Sequence, residues 1–237
     1  MRTRWHLAVV CFVLASVTVA IAELRTPTPA EKAALDKYAS VVNHLLDQFQ
    51  SDDWTEQVDY SLDDPEVNTN DPGVPLDINE LTQRSYRVRE GSTRWNEKLM
   101  PLIQKLMASN DWTEKGKIGE QMSALQAVRV EVHFNRANIG FDSQPSSSQD
   151  LHIPGAAFAY NTGKSPTGHG TSYLLAFGNW SSSKWDADHR WYHFHFAHPQ
   201  NTPYIENIEV TIYGADDRIQ QLLHSVDWSA MNAALTR

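Results

Sequence analysis

The chain has 237 residues, with 20 Lys and Arg against 29 Asp and Glu for a formal net charge of −9, and 41% of its residues are hydrophobic. Charged residues at 21% and only 11 each of Gly and Pro exclude a disordered, collagenous or coiled-coil chain. The acidic balance argues against a nucleic-acid partner, because phosphate affinity needs a basic face that releases counterions.

Residues 1–22 carry Arg2 and Arg4, then an apolar run over 7–19, then Ala20-Ile21-Ala22 before Glu23. This order of positive, apolar and small residues predicts a secretory signal peptide cut after Ala22, and hence a secreted or periplasmic protein. The run is shorter than the ~20 residues a spanning helix needs, so no membrane span is expected after cleavage. Cleavage also removes Cys11, the only cysteine, so the mature chain has neither a thiol nucleophile nor a disulfide framework. Its size lets it bury a sufficient core without one.

Thr28-Pro29-Ala30-Glu31 is a capping-box sequence with Pro at the first helical position, and Leu35, Tyr38, Val42, Leu45 and Phe49 follow at helical spacing. A helix over 29–50 is expected. Residues 57–82 hold seven acids and no basic residue, broken by Pro65, Pro72-Gly73 and Pro75, and read as a loop. Leu99, Leu102, Ile103 and Leu106 predict a second helix within 93–108, and Ile118, Met122 and Leu125 a shorter third.

From Ala127 the period changes to two. Val128, Val130, Val132 and Phe134 alternate with Arg129, Glu131, His133 and Asn135, which predicts a strand with one apolar and one polar face. Similar runs occur over 156–160, 173–180, 191–198 and 205–213, with no helical pattern long enough for parallel crossovers, so an antiparallel sheet is expected. Ile219, Leu222, Leu223 and Val226 predict a closing helix over 216–225. The expected architecture is a single α+β domain over 23–237. Its helical N-terminal half, 28–125, would pack on a mostly antiparallel sheet of about five strands within 126–237, closed by a C-terminal helix.

Ser51-Asp52-Asp53-Trp54, Ser109-Asn110-Asp111-Trp112 and Ser225-Val226-Asp227-Trp228 share S-x-D-W. Each predicts a helix end, an N-cap Asp that starts another turn, and a Trp packed over the junction.

The histidines are the most informative residues for chemistry. His189, His193, His195 and His198 fall within ten positions, and in a strand His193 and His195 share a face while Tyr192, Phe194 and Phe196 take the other. Two imidazoles at i and i+2 can supply half of a tetrahedral zinc site if a third donor comes from a neighbouring strand, with His133 or Glu131 on the first strand and Glu209 on the fifth as candidates. The string His193-Phe194-His195 resembles the His-x-His strand of α-type carbonic anhydrases. That family takes its third histidine from a later strand, whereas His133 lies earlier, so no membership is implied.

Other signals fail on spacing. Gly163-Lys164-Ser165 resembles the end of a phosphate-binding loop, but Phe158 stands where its first Gly must be. Ser181-Ser182-Ser183-Lys184 lacks the companion motifs of penicillin-binding enzymes. The alternation Asp64, Glu66, Asn68, Asn70 lacks the Gly and the terminal Glu of a calcium loop. Arg84, Arg87, Arg89 and Arg94 read as a mixed-charge surface, and the stretch 161–171 as a long loop.

Two functional classes remain. The favoured one is an exported, soluble, non-catalytic binding protein whose partner is a protein, such as a secreted effector, or a small molecule. His193, His195, His133, Glu131, Arg129 and Glu209 are its candidate binding residues. The alternative is a zinc-dependent hydrolase or lyase held by His193, His195 and His133.

Overall fold

The computed structural model describes residues 24–60, 65–69, 73–78, 82–141, 145, 150–164, 170–180 and 185–236. The expected signal peptide at 1–22 lies outside them, as do Ser181-Ser182-Ser183-Lys184 and both ends of the Asp64 to Asn70 alternation. In chain order the elements are β1 (Leu24–Arg25), α1 (Pro29–Asp47), β2 (Trp54–Tyr60), β3 (Val67–Asn68) and β4 (Thr82–Val88). A π-helical segment (Trp95–Leu99) then runs into α2 (Met100–Ala108), followed by α3 (Trp112–Gln126), β5 (Ala127–Phe134) and β6 (Asn138–Gly140). The remainder is β7 (Phe158–Lys164), β8 (Thr171–Gly178), β9 (Trp185–Asp186), β10 (Trp191–His193), β11 (Asn207–Gly214), α4 (Asp216–Ser225) and a 3-10 helix (Trp228–Ala233).

The capping box opens α1 as its sequence requires. The Glu31 backbone N–H donates to Thr28 Oγ1 at 3.3 Å and the Thr28 N–H donates to Glu31 Oε2 at 2.8 Å. Arg25 closes on the same carboxylate with two bonds, of 2.7 and 2.6 Å. Its placement follows from the pairing of β1 with β3. The apolar stripe Leu35, Tyr38, Val42, Leu45 and Leu46 is buried against the sheet.

That sheet has six strands in the order β2-β4-β5-β11-β8-β7, every neighbouring pair antiparallel. On its inner face Tyr86, Val128, Val130, Val132, Ile208, Val210, Ile212, Tyr173, Leu175 and Phe177 pack with α1, α4 and the 3-10 helix into one core. Leu174 and Ala176 on the opposite face of β8 belong to a second cluster, with Ile139, Trp180 and Phe194, that joins the sheet to a three-stranded sheet, β6-β10-β9. β8 is therefore buried on both sides, which is why it reads Ser-Tyr-Leu-Leu-Ala-Phe without alternation. At the end of β11, Gly214 has φ 127°, and a Cβ there would collide with the Ala127 carbonyl, so only Gly fits.

The expected architecture of a helical N-terminal half on five strands is overturned. Helices and sheets are mixed along the chain, and among the described residues the helices are few and there are three sheets, one of six strands. β2 and β4 both lie within the half expected to be helical, and β2 takes up the start of the supposed loop at 57–82. The physical reason is an ion pair on the inner face. Glu56 of β2 and Arg84 of β4 occupy positions where an apolar residue would have marked a strand, and they meet at 2.6 Å. Arg84 also reaches Asp47 at the end of α1, at 3.1 Å.

Three further boundaries shift. The run at 156–160 is the beginning of β7, which extends to Lys164 through a bulge between Asn161 and Gly163, so the supposed loop over 161–171 is strand at both described ends. The run at 191–198 is strand only as far as His193 in β10; one further backbone bond, from Phe194 N–H to the Ala137 carbonyl, follows, and Glu206 then takes over, its carboxylate accepting from the backbone N–H groups of Ala197 and His198, both at 2.8 Å. α3 is longer than its three apolar residues suggested, and Ile118 is its one buried residue.

Candidate functional site

The outer face of the six-stranded sheet is divided. Over β8 and β7 it is apolar, with Leu174, Ala176, Phe158 and Tyr160, and the small sheet covers Leu174 and Ala176. Over β4, β5 and β11 it is polar. Register fixes the rungs of this polar half: His133 opposite Glu209, Glu131 between Gln83 and Thr211, and Arg129 between Ser85 and Tyr213. Side chains directly opposed on such a ladder have Cβ atoms about 4.5–5.5 Å apart, close enough to act together on one ligand.

Side-chain contacts tie the rungs to one another. Arg129 Nε donates to Ser85 Oγ at 3.2 Å, and its guanidinium lies 6.0 Å from the centre of the Tyr213 ring. The Tyr213 hydroxyl donates to Glu131 Oε1 at 2.6 Å. Glu209 takes Arg136 Nε at 3.5 Å and the Thr211 hydroxyl at 3.5 Å, both at the long limit of a useful interaction. Gln83 and Ser85 are buried, and Arg129, Glu131, His133, Glu209 and Thr211 are half-buried.

Burial tunes these groups. It pushes the Glu209 carboxyl up, against the pull of the Arg136 charge and with a further push from the Glu131 charge. It pushes the His133 imidazole down to about 4, with the Arg136 charge adding to the effect, so His133 is neutral at pH 7. Burial and the bond to Glu131 push the Tyr213 hydroxyl up to about 12. The floor thus offers a neutral imidazole, two carboxyl groups of which Glu209 resists ionisation, a guanidinium and the hydroxyls of Ser85, Thr211 and Tyr213, all on paired strands.

Of the six expected site residues, Arg129, Glu131, His133 and Glu209 are brought together here. His193 and His195 are not. They stand on the small sheet and just beyond it, both exposed, with ring centroids 4.8 Å apart at 80°. Nδ1 of His193 is held by Asn138 Oδ1 at 2.7 Å. His198 is separate again, its Nδ1 3.0 Å from Glu206 and its ring stacked on Tyr204 at 3.5 Å. Among the described residues no group of three or more His, Cys, Asp or Glu is placed to hold a metal ion, so the expected set of His193, His195 and His133 is not assembled there.

Sequence reasoning missed four members of the floor. Thr211 and Tyr213 alternate with Ile208, Val210 and Ile212, so their face was readable once Glu209 had been placed on it. Gln83 and Ser85 lie on β4, whose Arg84 hid the alternation.

Of the four arginines, Arg84, Arg89 and Arg94 make structural contacts, and Arg87 is exposed. Arg94 forms a two-bond pair with Asp217, at 2.6 and 2.8 Å, and lies over Trp54 at 4.9 Å, while Arg89 Nη2 donates to the Trp54 carbonyl at 3.4 Å. The S-x-D-W strings diverge. Asp111 and Asp227 cap α3 and the 3-10 helix, but Asp53 accepts from the Arg94 N–H at 3.1 Å and leads into β2. Trp54 and Trp228 are buried, whereas Trp112 is 84% exposed.

Comparison of the chain with known protein families, characterised proteins and solved structures gives no match.

Proposed function

We propose that the chain is an exported, soluble, non-catalytic binding protein that holds a small polar ligand against the floor formed by β4, β5 and β11. The observation that carries this reading is the opposition of Glu209 and His133. Burial disfavours the charged form of both, and among the described residues neither has a short, well-aligned partner. A fold gains no stability from such a pair, whereas a ligand with hydrogen-bonding groups would satisfy it. Arg129, Glu131 and Tyr213 on the adjoining rungs would fix the orientation of that ligand. Half-buried side chains on a sheet suit a small molecule better than a flat protein surface. Export rests on Arg2, Arg4 and Ala20-Ile21-Ala22.

The test is a thermal-shift panel of sugars, amino acids and polyamines on the wild type and on Arg129→Ala, Glu131→Gln and Glu209→Gln. A compound that stabilises the wild type and loses its effect in the variants is expected. A panel in which nothing binds, or a ligand that ignores all three substitutions, overturns this reading of the floor.

A further inference from the structure

We propose that His193 and His195 form a two-histidine site for a divalent transition-metal ion, Cu2+ before all others. This site is separate from the floor on β4, β5 and β11 and does not rest on that reading.

Three observations point to it. First, the backbone that carries both rings is fixed. His193 pairs with Asn138 in β10 and β6, and the Phe194 N–H donates to the Ala137 carbonyl at 2.7 Å. The Phe194 ring, wedged 4.7 Å from Trp180 and 4.9 Å from Phe196, turns inward and leaves the two imidazoles outward on the same side. Second, the rings are already close. Residues i and i+2 of a strand are about 6–7 Å apart, yet the centroids here are 4.8 Å apart and edge to face. Two ring nitrogens in cis positions on one ion, each at 2.0–2.1 Å from it, lie about 2.9 Å apart in tetragonal and about 3.3 Å apart in tetrahedral geometry, separations that rings at this spacing reach by turning one of them. The His195 ring makes no hydrogen bond among the described residues and is the one free to turn.

Third, the tautomer of His193 is set for ligation. The Asn138 amide oxygen can only accept, so His193 Nδ1 carries the proton and Nε2 presents its lone pair outward. A metal-binding histidine has the same arrangement, with an outer-shell oxygen fixing the ring from behind. With two nitrogen donors on the chain, the remaining positions fall to water or to an exchangeable oxygen ligand. A set of two imidazoles and oxygens ranks divalent ions in the Irving–Williams order, with Cu2+ first and tolerant of tetragonal geometry.

The test is titration of the purified full chain with Cu2+ alone in a non-coordinating buffer, followed by calorimetry and electron paramagnetic resonance. One saturable site in the micromolar range, with hyperfine splitting from two imidazole nitrogens, is expected. His193→Gln and His195→Gln should each weaken it by about tenfold or more, and Asn138→Ala by a smaller factor. His189→Ala and His198→Ala should leave it unchanged, since their rings are held by Asp186 and Glu206 and stacked on Trp191 and Tyr204. Both histidines of the site are exposed, so their variants should melt with the wild type, which separates ligand loss from misfolding. Absence of a saturable site, wild-type affinity in both Gln variants, or equal losses in the His189 and His198 variants overturns the proposal.

Discussion

Glu209 and His133 stand directly opposite each other on β11 and β5, and burial moves their ionisation in opposite directions, the carboxyl up and the imidazole down. Each shift favours the neutral form. The outer face of the sheet therefore holds, on one rung, two half-buried groups that both resist charge, and each leaves a signature in the pH dependence of stability.

For His133 the native value of about 4 lies below the ordinary 6.5. As pH falls below 6.5 the unfolded chain takes up a proton that the native state refuses until about pH 4. Stability present above pH 6.5 is thus lost across that interval, by up to about 3 kcal/mol. His133→Gln, neutral throughout, should flatten this loss when urea midpoints are compared at pH 7 and 4.5. Parallel losses in wild type and variant would show that the imidazole titrates as if exposed.

For Glu209 the sign is reversed. Its native value lies above the ordinary 4.5, so an unfavourable contribution is absent below pH 4.5 and grows as pH rises through the native value. Glu209→Gln should gain on the wild type between pH 4 and pH 8. Arg136→Ala, by removing the charge that opposes the shift, should widen that gap. If Glu209→Gln is less stable than the wild type at pH 8, its carboxylate has a partner stronger than Arg136.

How far the sequence could be read follows from these same strands. β5 and β11 were legible because Val128, Val130 and Val132, and Ile208, Val210 and Ile212, keep their alternation, which also puts Arg129, Glu131, His133 and Glu209 on one face. β2 and β4 were illegible because alternation reports burial of apolar groups, and Glu56 and Arg84 satisfy an inner-face position by pairing instead. Strand order is a matter of tertiary pairing and leaves no local trace. Nothing in residues 127–135 or 191–198 says that His133 sits on one sheet and His193 on another.

The face assignment around His193 makes a stability prediction. Phe194 is 2% exposed within the second cluster, so Phe194→Ala should cost about 3–5 kcal/mol. Phe196, half-buried, should cost clearly less. The expected result is a lowered thermal midpoint for Phe194→Ala. A midpoint within a few degrees of the wild type would mean that the small sheet contributes little to holding the fold.

Processing of the N-terminus gives a prediction by mass. Export with cleavage after Ala22 should yield a protein whose first residue is Glu23. Intact-mass analysis of protein recovered from outside the cytoplasm decides the matter, and residues 1–22 retained in a membrane fraction would refute it.

Glu31 joins two devices at the start of α1, and they can be separated. Its carboxylate caps the Thr28 N–H and is gripped by Arg25, whose hydrogen bonds hold it down to about 2 against the opposing effect of burial. Because the native value lies below the ordinary 4.5, the stabilisation is fully present above pH 4.5 and is lost as pH falls towards 2. Thr28→Ala removes only the cap acceptor and should cost about 1 kcal/mol. Glu31→Ala removes both devices and leaves the Thr28 N–H without its bond, so about 2 kcal/mol is expected at pH 7. Glu31→Gln keeps an oxygen for Thr28 but loses the charge that Arg25 grips, and should fall between the two. At pH 2 most of the gap between the wild type and Glu31→Gln should close, since the native carboxyl is then about half protonated and little of its stabilisation remains. Urea midpoints at pH 7 and pH 2 read all four proteins. Equal stability of Glu31→Gln and wild type at pH 7 would assign the whole effect to the cap and none to Arg25.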